Sequence, residues 1–490
     1  MTPPTSPDDL KGAARKLIRE AALVDGAWIS AGDGAIAVED PSEQTILGHV
    51  PSLTADQVDE AIAAAADAFP EWSRRKARER GEFLTRWAAL ITANEQALGA
   101  LISLENGKPF AEAVGEVRYA NAFITWFAGI AEHLDGRAID SGNAQDLILA
   151  FREPVGPVAA ITPWNFPAAM MTRKAAAAFC AGCTLVLKPA SATPFTALAL
   201  AALALEAGLP PGCFSVVSGA QSVVGARLTG SAAIRKLSFT GSTEVGRLLA
   251  GQCAPTLKRL SMELGGAAPL LVLDDADLEL AVAGTVAGKF RGAGQTCVCP
   301  NRIYVHESIH DAFLERLTER VAALKVGKPF EPGVEIGPLI DAKAVEKVET
   351  HVAKALADGG RVLTGGARHD LGGRFFQPTV IAGADDALFT CEETFGPVCP
   401  VFSFRDDDEA VARANASEFG LAAFVFSESL NRAMRVGRAI DAGIVGVNTG
   451  LVSNPANPFG GVKQSGYGRE GSAYGIDDYL QVKSLTLALR

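Results

Sequence analysis

The sequence predicts an α/β protein with more than one parallel-sheet unit. Over residues 154–256, short apolar runs alternate with helical stretches, which is typical of a parallel sheet covered by helices on both faces. A second round of alternation runs from residue 265 to about 458. At 490 residues the chain is also too long for a single hydrophobic core. We therefore expect two α/β units, with ligands beyond the carboxyl ends of the strands of the first unit.

The elements follow in order along the chain. Residues 55–133 have a helical pattern, with Thr54 or Asp56 as a start signal and Gly107 as a stop signal. The predicted strands of the first alternating region are "GPVAAITPW", "TLVLKP", "CFSVVSG" and "IRKLSFTGS". The stretches that alternate with these strands are "MTRKAAAAFCAG", "TPFTALALAALALEAG", "VVGARLTG" and "TEVGRLLAGQCA". Residues 134–153 predict a hairpin that can pair with the strand-like closing stretch "DYLQVKSLTLALR".

Composition excludes several classes of protein. The net charge of −11 argues against a nucleic-acid partner. The polar N-terminus "MTPPTSPDDL" is unlike a secretory signal, and the most apolar run, "PFTALALAALALEAG", is too short to span a bilayer. Eight cysteines without paired spacing are typical of reduced cytoplasmic thiols. Cys180 and Cys183 have zinc-ligand spacing but no histidine clusters near them, so no metal is expected.

Two glycine-rich stretches have different meanings. "GYGREG" (466–471) fits a dinucleotide fingerprint, but no apolar strand precedes it and too few residues follow for a βαβ unit. "GSTEVG" (241–246) lies between a predicted strand and a predicted helix. Such a turn either presents backbone N–H groups to a phosphate or serves only as a turn.

Five short stretches lie at predicted strand ends: "PWNFP" (163–167), "LKPAS" (187–191), "MELGG" (262–266), "GQTC" (294–297) and "EETFGP" (392–397). Together, in this order and spacing, they resemble the aldehyde dehydrogenase superfamily, and the resemblance extends from residue 25 to 490. It implies that family's fold. The expected parts are a Rossmann-like cofactor domain (1–133 and 154–264), an α/β catalytic domain (265–458), and a small β oligomerisation element with a C-terminal arm (134–153 and 459–490).

The resemblance also implies a mechanism. A thiolate adds to the aldehyde, and the resulting oxyanion expels hydride onto a nicotinamide. The family's nucleophile corresponds to Cys297, which would otherwise be a buried small hydrophobe. Asn165 and the Cys297 backbone N–H correspond to the oxyanion hole. Glu263 corresponds to the base that hydrolyses the thioester, a residue that relatives using coenzyme A lack. Lys174 and Glu470 match a proposed proton relay, although both are alternatively solvated.

Cofactor contacts follow from the same resemblance. Where NAD-preferring members commonly have a glutamate, this chain has Ser191, so we expect NADP to be preferred and NAD to be usable. The alternative is that Ser191 caps the next helix. The expected cofactor residues are Thr162, Trp164, Lys188, Ser191, Gly241, Ser242, Gly246, Glu393 and Phe395.

The substrate prediction depends on "MMTRKAAAA", "KFRGAGQTCVC" and the stretch 446–483, which resemble succinate-semialdehyde dehydrogenases. In that family two arginines and a serine hold the substrate carboxylate, and they correspond here to Arg173, Arg291 and Ser453. An isolated arginine is more often a surface residue. Arg291 is expected at a helix end. Glutarate semialdehyde and 2-oxoglutarate semialdehyde are alternative substrates, since one methylene discriminates weakly. A catalytically retired structural protein and an esterase are alternatives of other classes.

Two further expectations concern assembly and redox chemistry. An exposed edge strand such as "VKSLTLAL" needs a partner, so we expect a homodimer or a homotetramer. Cys297 and Cys299 resemble a pair that forms a reversible disulfide switch, although Cys299 is alternatively a packed hydrophobe. An extended chain would separate their Cα atoms by roughly 6.6–7.2 Å, so the loop would have to kink. Gly292 and Gly294 supply that freedom.

Overall fold

The computed structural model describes residues 6–489. Residues 1–5 and residue 490 lie outside the described residues. Residues 1–5 belong to the N-terminal stretch from which the absence of a secretory signal is predicted. The α-helices are α1 Pro7–Leu17, α2 Ala55–Arg74, α3 Ala77–Ala93, α4 Glu95–Asn106, α5 Phe110–Ile130, α6 Ala169–Ala181, α7 Pro194–Glu206, α8 Gln221–Gly230, α9 Thr243–Cys253, α10 Leu278–Phe290, α11 His310–Ala322, α12 Ala342–Ala357, α13 Ala387–Cys391, α14 Asp407–Asn415 and α15 Leu430–Ala439. The strands are β1 Ala22–Val24, β2 Ala27–Ile29, β3 Ala35–Asp40, β4 Thr45–Pro51, β5 Arg137–Asp140, β6 Asp146–Pro154, β7 Val158–Ile161, β8 Leu185–Lys188, β9 Phe214–Val216, β10 Lys236–Thr240, β11 Arg259–Glu263, β12 Ala268–Val272, β13 Pro300–His306, β14 Arg361–Thr364, β15 Thr379–Ala382, β16 Val398–Phe404, β17 Phe419–Gly420, β18 Ala422–Phe426, β19 Ile444–Val447, β20 Val462–Lys463, β21 Gly466–Tyr467 and β22 Leu480–Ala488.

The first sheet has the strand order β2-β1-β9-β8-β7-β10-β11-β21. Its strands β9, β8, β7, β10 and β11 are parallel, as the alternating pattern predicts. Because the chain moves outward from β7 to β9 and then returns to add β10, the order reverses between β7 and β10. A reversal of this kind opens a crevice at the carboxyl ends of the two strands.

The second sheet has the order β14-β15-β16-β13-β12-β18-β19, and all but β14 run parallel. Its strands β12 and β18 are buried along their whole length. The loops that enter β12, β13 and β16 approach the crevice of the first sheet, so the site faces the amino ends of these strands. The expectation that ligands lie beyond the carboxyl ends concerns the first sheet, where the cavity lies at those ends.

The helical region before β5 begins and ends where its capping residues predict. Thr54 caps α2 and forms a capping box with Gln57. Gly107, with φ 81°, ends α4 in the left-handed conformation that glycine adopts at little cost. Within this layer Trp87 stacks on Phe83 at 6.0 Å between ring centroids. The layer packs on α6, whose thirteen residues are all buried.

A three-stranded antiparallel sheet has the order β22-β6-β5. β22 pairs with β6 from Leu480 opposite Pro154 to Ala488 opposite Asp146, as the hairpin prediction requires. The other edge of β22 has no partner within the described chain, and Val482 on it is 72% exposed. Within residues 6–489, no helix has the length and apolar character needed to cross a membrane.

The C-terminal arm returns to both α/β units. β21 extends the first sheet antiparallel to β11, and β20 pairs with β17 beside the second sheet. The "GYGREG" stretch therefore begins as a two-residue strand, in agreement with its rejection as a dinucleotide fingerprint. The domain division stays a proposal, with the amendment that β21 belongs to the sheet of the cofactor domain.

Candidate active site

A cavity of about 290 Å³ lies between the two sheets. Its walls come from the segments after β7, β10 and β11 on one side, and from α12 and the loops before β13 and β16 on the other. The lining residues are Pro163, Trp164, Asn165, Thr240, Gly241, Ser242, Glu263, Leu264, Gly265, Cys297, Ala344, Lys347, Glu393, Thr394 and Phe395. Asn165, Glu263 and Cys297, singled out from sequence, thus share one cavity.

Two loops meet at the thiol. The Asn165 side-chain amide donates to the Gln295 carbonyl at 2.9 Å, which joins the segment after β7 to the loop carrying Cys297. That loop turns sharply, since Gly292, Ala293 and Gly294 all have positive φ (58°, 55° and 75°). Across the cavity, a Cβ on Gly266 would lie 2.7 Å from the Cys297 carbonyl oxygen. Glycine is therefore needed there for the close approach of the backbones.

The environment of the cavity raises the pKa of both the thiol and the carboxyl group. Burial, followed by the nearby Glu393 carboxylate, raises the pKa of the Cys297 thiol to about 12, and the Arg173 guanidinium opposes the shift. Burial and then repulsion by Glu470 raise the pKa of Glu263 well above its usual value. Neither Glu263 oxygen accepts a hydrogen bond from any group within residues 6–489. A buried carboxyl group without a partner has no structural advantage, so its position favours a chemical role.

The wall opposite the thiol fits a dinucleotide. β10 ends at Thr240, and Ser242 caps α9 by accepting from the Val245 N–H at 3.4 Å. The helix N-terminus thus faces the cavity through Gly241, a position where phosphates bind well. The Thr240 hydroxyl is buried and has no hydrogen-bond partner in the described part of the chain, and sequence analysis missed it. Its place at a strand end beside the crevice was the available signal.

The part of the cavity that the resemblance assigns to the nicotinamide has an acid and two aromatic rings. Burial raises the pKa of Glu393 to about 8, against the opposing charges of Lys347 and Lys289. Phe395 packs edge-on against Trp164 with 5.6 Å between ring centroids. Lys347, on α12, was also missed, because nothing in an amphipathic helix distinguishes a lysine that faces a cavity.

The remaining cofactor candidates lie outside this cavity. The Thr162 N–H donates to the Lys188 carbonyl at 3.1 Å, so the ends of β7 and β8 lie side by side. Gly246, which lies in α9, faces the Leu264 side chain, so its small size serves the packing of the helix. Ser191 does not cap α7: the cap is Thr193, and Glu105 accepts the N–H groups of Phe195 and Thr196, each at 2.8 Å. The capping alternative for Ser191 is therefore wrong.

The predicted substrate groups occupy two environments. Arg291 directly follows α10, at a helix end as predicted, and its Nη1 donates to the Ser453 hydroxyl at 3.2 Å. Its guanidinium lies 4.7 Å from the ring centroid of Phe166, the residue after Asn165. Arg173, by contrast, is only 1% exposed and forms an ion pair with Glu470. Arg291 is therefore the more available of the two cations.

Tyr119 on α5 connects these environments, and sequence analysis missed it. Burial raises its pKa, and the charges of Arg173 and Arg291 oppose that shift. The Cys297 thiolate adds to the shift. The phenol therefore lies within electrostatic reach of both arginines and of the thiol, and no local motif marks it.

Lys174 and Glu470 are not solvated, so that alternative is wrong. Both side chains are buried and form an ion pair, and Lys174 also donates to the Ser238 hydroxyl at 3.0 Å. Burial alone would raise the pKa of Glu470, but the charges of Arg173 and Lys174 hold it below its usual value. Glu470 is thus an ionised acid near Glu263, whose pKa is raised.

The chain around the second cysteine is a turn and not an extended segment. The Cys299 N–H donates to the Thr296 carbonyl at 3.2 Å, which brings Cys297 and Cys299 closer than an extended chain would. The Cys299 side chain is buried, and its thiol donates to the Lys289 carbonyl at 3.4 Å. The kink that a disulfide requires is therefore already present in part.

A parallel-sheet crevice that holds a thiol, a carboxamide and a carboxyl group is typical of a class of α/β enzymes. Within this class, the family model described as "Aldehyde dehydrogenase family" matches residues 28–485. The chain belongs to the aldehyde dehydrogenase family.

Several curated relatives match nearly the whole chain. The succinate-semialdehyde dehydrogenase (NADP(+)) GabD of Escherichia coli strain K12 is 52% identical, over 96% of this chain and 98% of its own length. A glutarate-semialdehyde dehydrogenase of Pseudomonas aeruginosa is 50% identical, over 96% and 98%. A 3-sulfolactaldehyde dehydrogenase of Pseudomonas putida is also 50% identical, over 96% and 97%. The crystal structure of an E. coli NADP-dependent enzyme matches with a TM-score of 0.96 and 51% identity, covering 97% of this chain and 99% of that one.

Proposed function

We propose that this protein oxidises succinate semialdehyde to succinate, with NADP as the preferred coenzyme. The carrying observation is the Arg291–Ser453 pair, in which a cation and a hydroxyl meet at 3.2 Å beside Phe166. An arginine with a neighbouring hydroxyl is suited to bind a carboxylate. Phe166 adjoins Asn165 in the chain, so an acid bound there lies near the thiol that attacks its aldehyde end.

Each reactive group has one role in the proposed reaction. The Cys297 thiolate adds to the carbonyl carbon, and the oxygen becomes an oxyanion that accepts from the Asn165 amide and the Cys297 N–H. A bound nicotinamide coenzyme supplies the hydride acceptor. Water loses a proton to Glu263 as its oxygen adds to the acyl carbon of the thioester, and the carbon–sulfur bond then breaks, which releases the acid and restores the Cys297 thiolate. One aldehyde, one water and one oxidised coenzyme give one carboxylate, one reduced coenzyme and two protons.

The preference for NADP depends on Ser191. It is small and uncharged, it lies three residues beyond Lys188, and it is not used as a helix cap. A 2′-phosphate therefore meets no carboxylate there, and the lysine is a favourable neighbour for its charge. Two relatives with NADP in their names or descriptions support the same preference.

The alternatives share a terminal anion. Glutarate semialdehyde and 2-oxoglutarate semialdehyde are longer than succinate semialdehyde, and one methylene is worth only about 1–3 kcal/mol of discrimination. The 3-sulfolactaldehyde relative indicates that a sulfonate is another head group to compare. A retired structural protein is disfavoured because the thiol, the carboxamide and the carboxyl group share one cavity. Ester hydrolysis by the same thiol is expected only as a side activity.

Assembly and location extend the proposal. β22 offers an unpaired edge with exposed apolar residues, Val482 and Leu485 among them, which supports a homodimer or a homotetramer formed through this element. All eight cysteines are free, as is typical of the reducing cytoplasm. The turn at 296–299 also favours the proposed reversible disulfide between Cys297 and Cys299, whereas the buried, hydrogen-bonded Cys299 thiol favours a packing role.

The experiment is steady-state kinetics on the purified chain with succinate semialdehyde, with an Arg291→Ala variant alongside. The wild type is expected to reduce NADP with a high kcat/KM, and the variant is expected to lose most of it. A variant that keeps full kcat/KM on the acid aldehyde would remove the substrate assignment.

A further inference from the structure

We infer that the buried Lys108–Glu116 ion pair is a positioning device for the Asn165 oxyanion donor. The inference rests on the proposed role of Asn165 and adds two residues outside the cavity lining. Both side chains are 1% exposed, and they form an ion pair behind the segment after β7. Neither lies in a motif that the sequence analysis singled out.

Both residues of the ion pair form hydrogen bonds with the backbone of the segment that carries Asn165. Lys108 Nζ donates to the Asn165 backbone carbonyl at 2.9 Å and lies 3.9 Å from the Phe166 ring centroid. Glu116 accepts from the Ala168 N–H at 2.9 Å through its other carboxylate oxygen. The two side chains therefore hold the backbone on both sides of Phe166, immediately behind the catalytic amide.

A neighbouring contact holds the opposite loop from the same helix. Glu112, one turn before Glu116 on α5, accepts from the Gly292 N–H at 3.2 Å. Gly292 begins the left-handed segment that leads to Cys297. Side chains at 112 and 116 on α5, together with Lys108 just before it, thus hold both loops of the proposed oxyanion hole, and the 2.9 Å Asn165–Gln295 contact joins those loops directly.

Burying two charges is costly, and replacing such a pair by apolar groups is often neutral or stabilising. Stability alone therefore does not account for charge at this place. Charge-assisted hydrogen bonds to two points of one loop fix its backbone more narrowly than apolar packing does. An oxyanion donor depends on such accuracy, because a misplacement of about 1 Å lowers a rate by about 10²-fold.

The test is a double-mutant cycle in the full-length enzyme. Lys108→Met and the charge-neutral Lys108→Met/Glu116→Gln are each made in the wild type and in an Asn165→Ala background. We measure kcat for the acid aldehyde, the dissociation constant of NADP by fluorescence, and the circular dichroism spectrum. The matched control is Arg118→Met, which breaks the exposed contact between Arg118 and Glu95 (2.8 Å) on the outer face of the same helix.

The inference predicts that either variant lowers kcat by about 10²-fold with coenzyme affinity unchanged. In the Asn165→Ala background, the same change should add no more than about a twofold loss. Losses that multiply would show that Lys108 acts other than through Asn165, and an unchanged kcat would also overturn the inference. If Lys108→Met does not fold, the neutral double variant and the isosteric Glu116→Gln decide the question by the same criteria. If Asn165→Ala itself keeps full kcat, the proposed role of Asn165 fails instead.

Discussion

Replacing Arg291 by methionine tests how the enzyme selects an acid aldehyde. The change removes a guanidinium that donates to Ser453 at 3.2 Å and keeps most of the apolar stem against Phe166. A hydrogen bond to a charged group contributes about 1.5–3 kcal/mol. That corresponds to roughly a 10- to 150-fold loss of kcat/KM for succinate semialdehyde. Butanal has the same chain length without the carboxylate, so its kcat/KM should stay unchanged.

The assay follows reduced coenzyme with both aldehydes on wild type, Arg291→Met, Arg173→Met and Ser453→Ala. Ser453→Ala should lose less kcat/KM on succinate semialdehyde than Arg291→Met. Its loss should correspond to about 0.5–1.5 kcal/mol, because the variant removes one neutral hydrogen-bond partner. Equal losses on succinate semialdehyde and butanal would refute the reasoning, since Arg291 would then support the loop and not the carboxylate. A loss confined to Arg173→Met would transfer the role to the arginine that pairs with Glu470.

Three further outcomes are expected. Burial raises the pKa of Cys297 to about 12, so the thiolate fraction should still be increasing between pH 7 and 9. The rate at which iodoacetamide alkylates Cys297 in the coenzyme-free enzyme should therefore rise about tenfold per pH unit over this range. A rate that reaches a plateau below pH 8 would contradict the raised pKa. Ser191→Glu should shift the NADP:NAD ratio of kcat/KM toward NAD by at least about tenfold through repulsion of the 2′-phosphate, and an unchanged ratio would remove Ser191 from the argument. Mild peroxide should inactivate both the wild type and Cys299→Ala, but dithiothreitol should restore activity only to the wild type. Equal recovery of both proteins would leave Cys299 with a packing role alone.

Assembly is open to a direct measurement as well. Light scattering at micromolar concentration should give a dimer or a tetramer, and charged substitution of Val482 on the free edge of β22 should reduce the mass. A single 51.0 kDa species would contradict the assembly proposal.

Sequence alone predicted the parts of the site that lie at strand ends. The short stretches around Asn165 and Glu263 follow strands of one parallel sheet, and the carboxyl ends of such strands meet at one edge. Their convergence therefore follows from topology before any coordinate is known. The strand-helix alternation predicted the first sheet for the same reason, because each short apolar run is a strand buried on both faces.

What sequence could not show is pairing between distant charges. Lys174 and Glu470 are far apart in the chain, and nothing local indicates that burial places them in one ion pair. Lys108 and Glu116 lie only eight residues apart, but their proposed role depends on contacts with the loop that follows β7, which no local pattern shows. The turn at Cys299 was also hidden, since "TCVC" is equally compatible with an extended chain and only the Thr296 hydrogen bond distinguishes the two.

The most direct test of the central claim is a comparison of kcat/KM on one preparation. Succinate semialdehyde, glutarate semialdehyde, 3-sulfolactaldehyde and acetaldehyde are each assayed with NADP and with NAD. The account predicts the highest value for succinate semialdehyde with NADP, overlap with glutarate semialdehyde, and poor turnover of acetaldehyde. Equal or faster turnover of acetaldehyde would contradict it, because a site built around the Arg291–Ser453 pair has no means of preferring an aldehyde that lacks an anion.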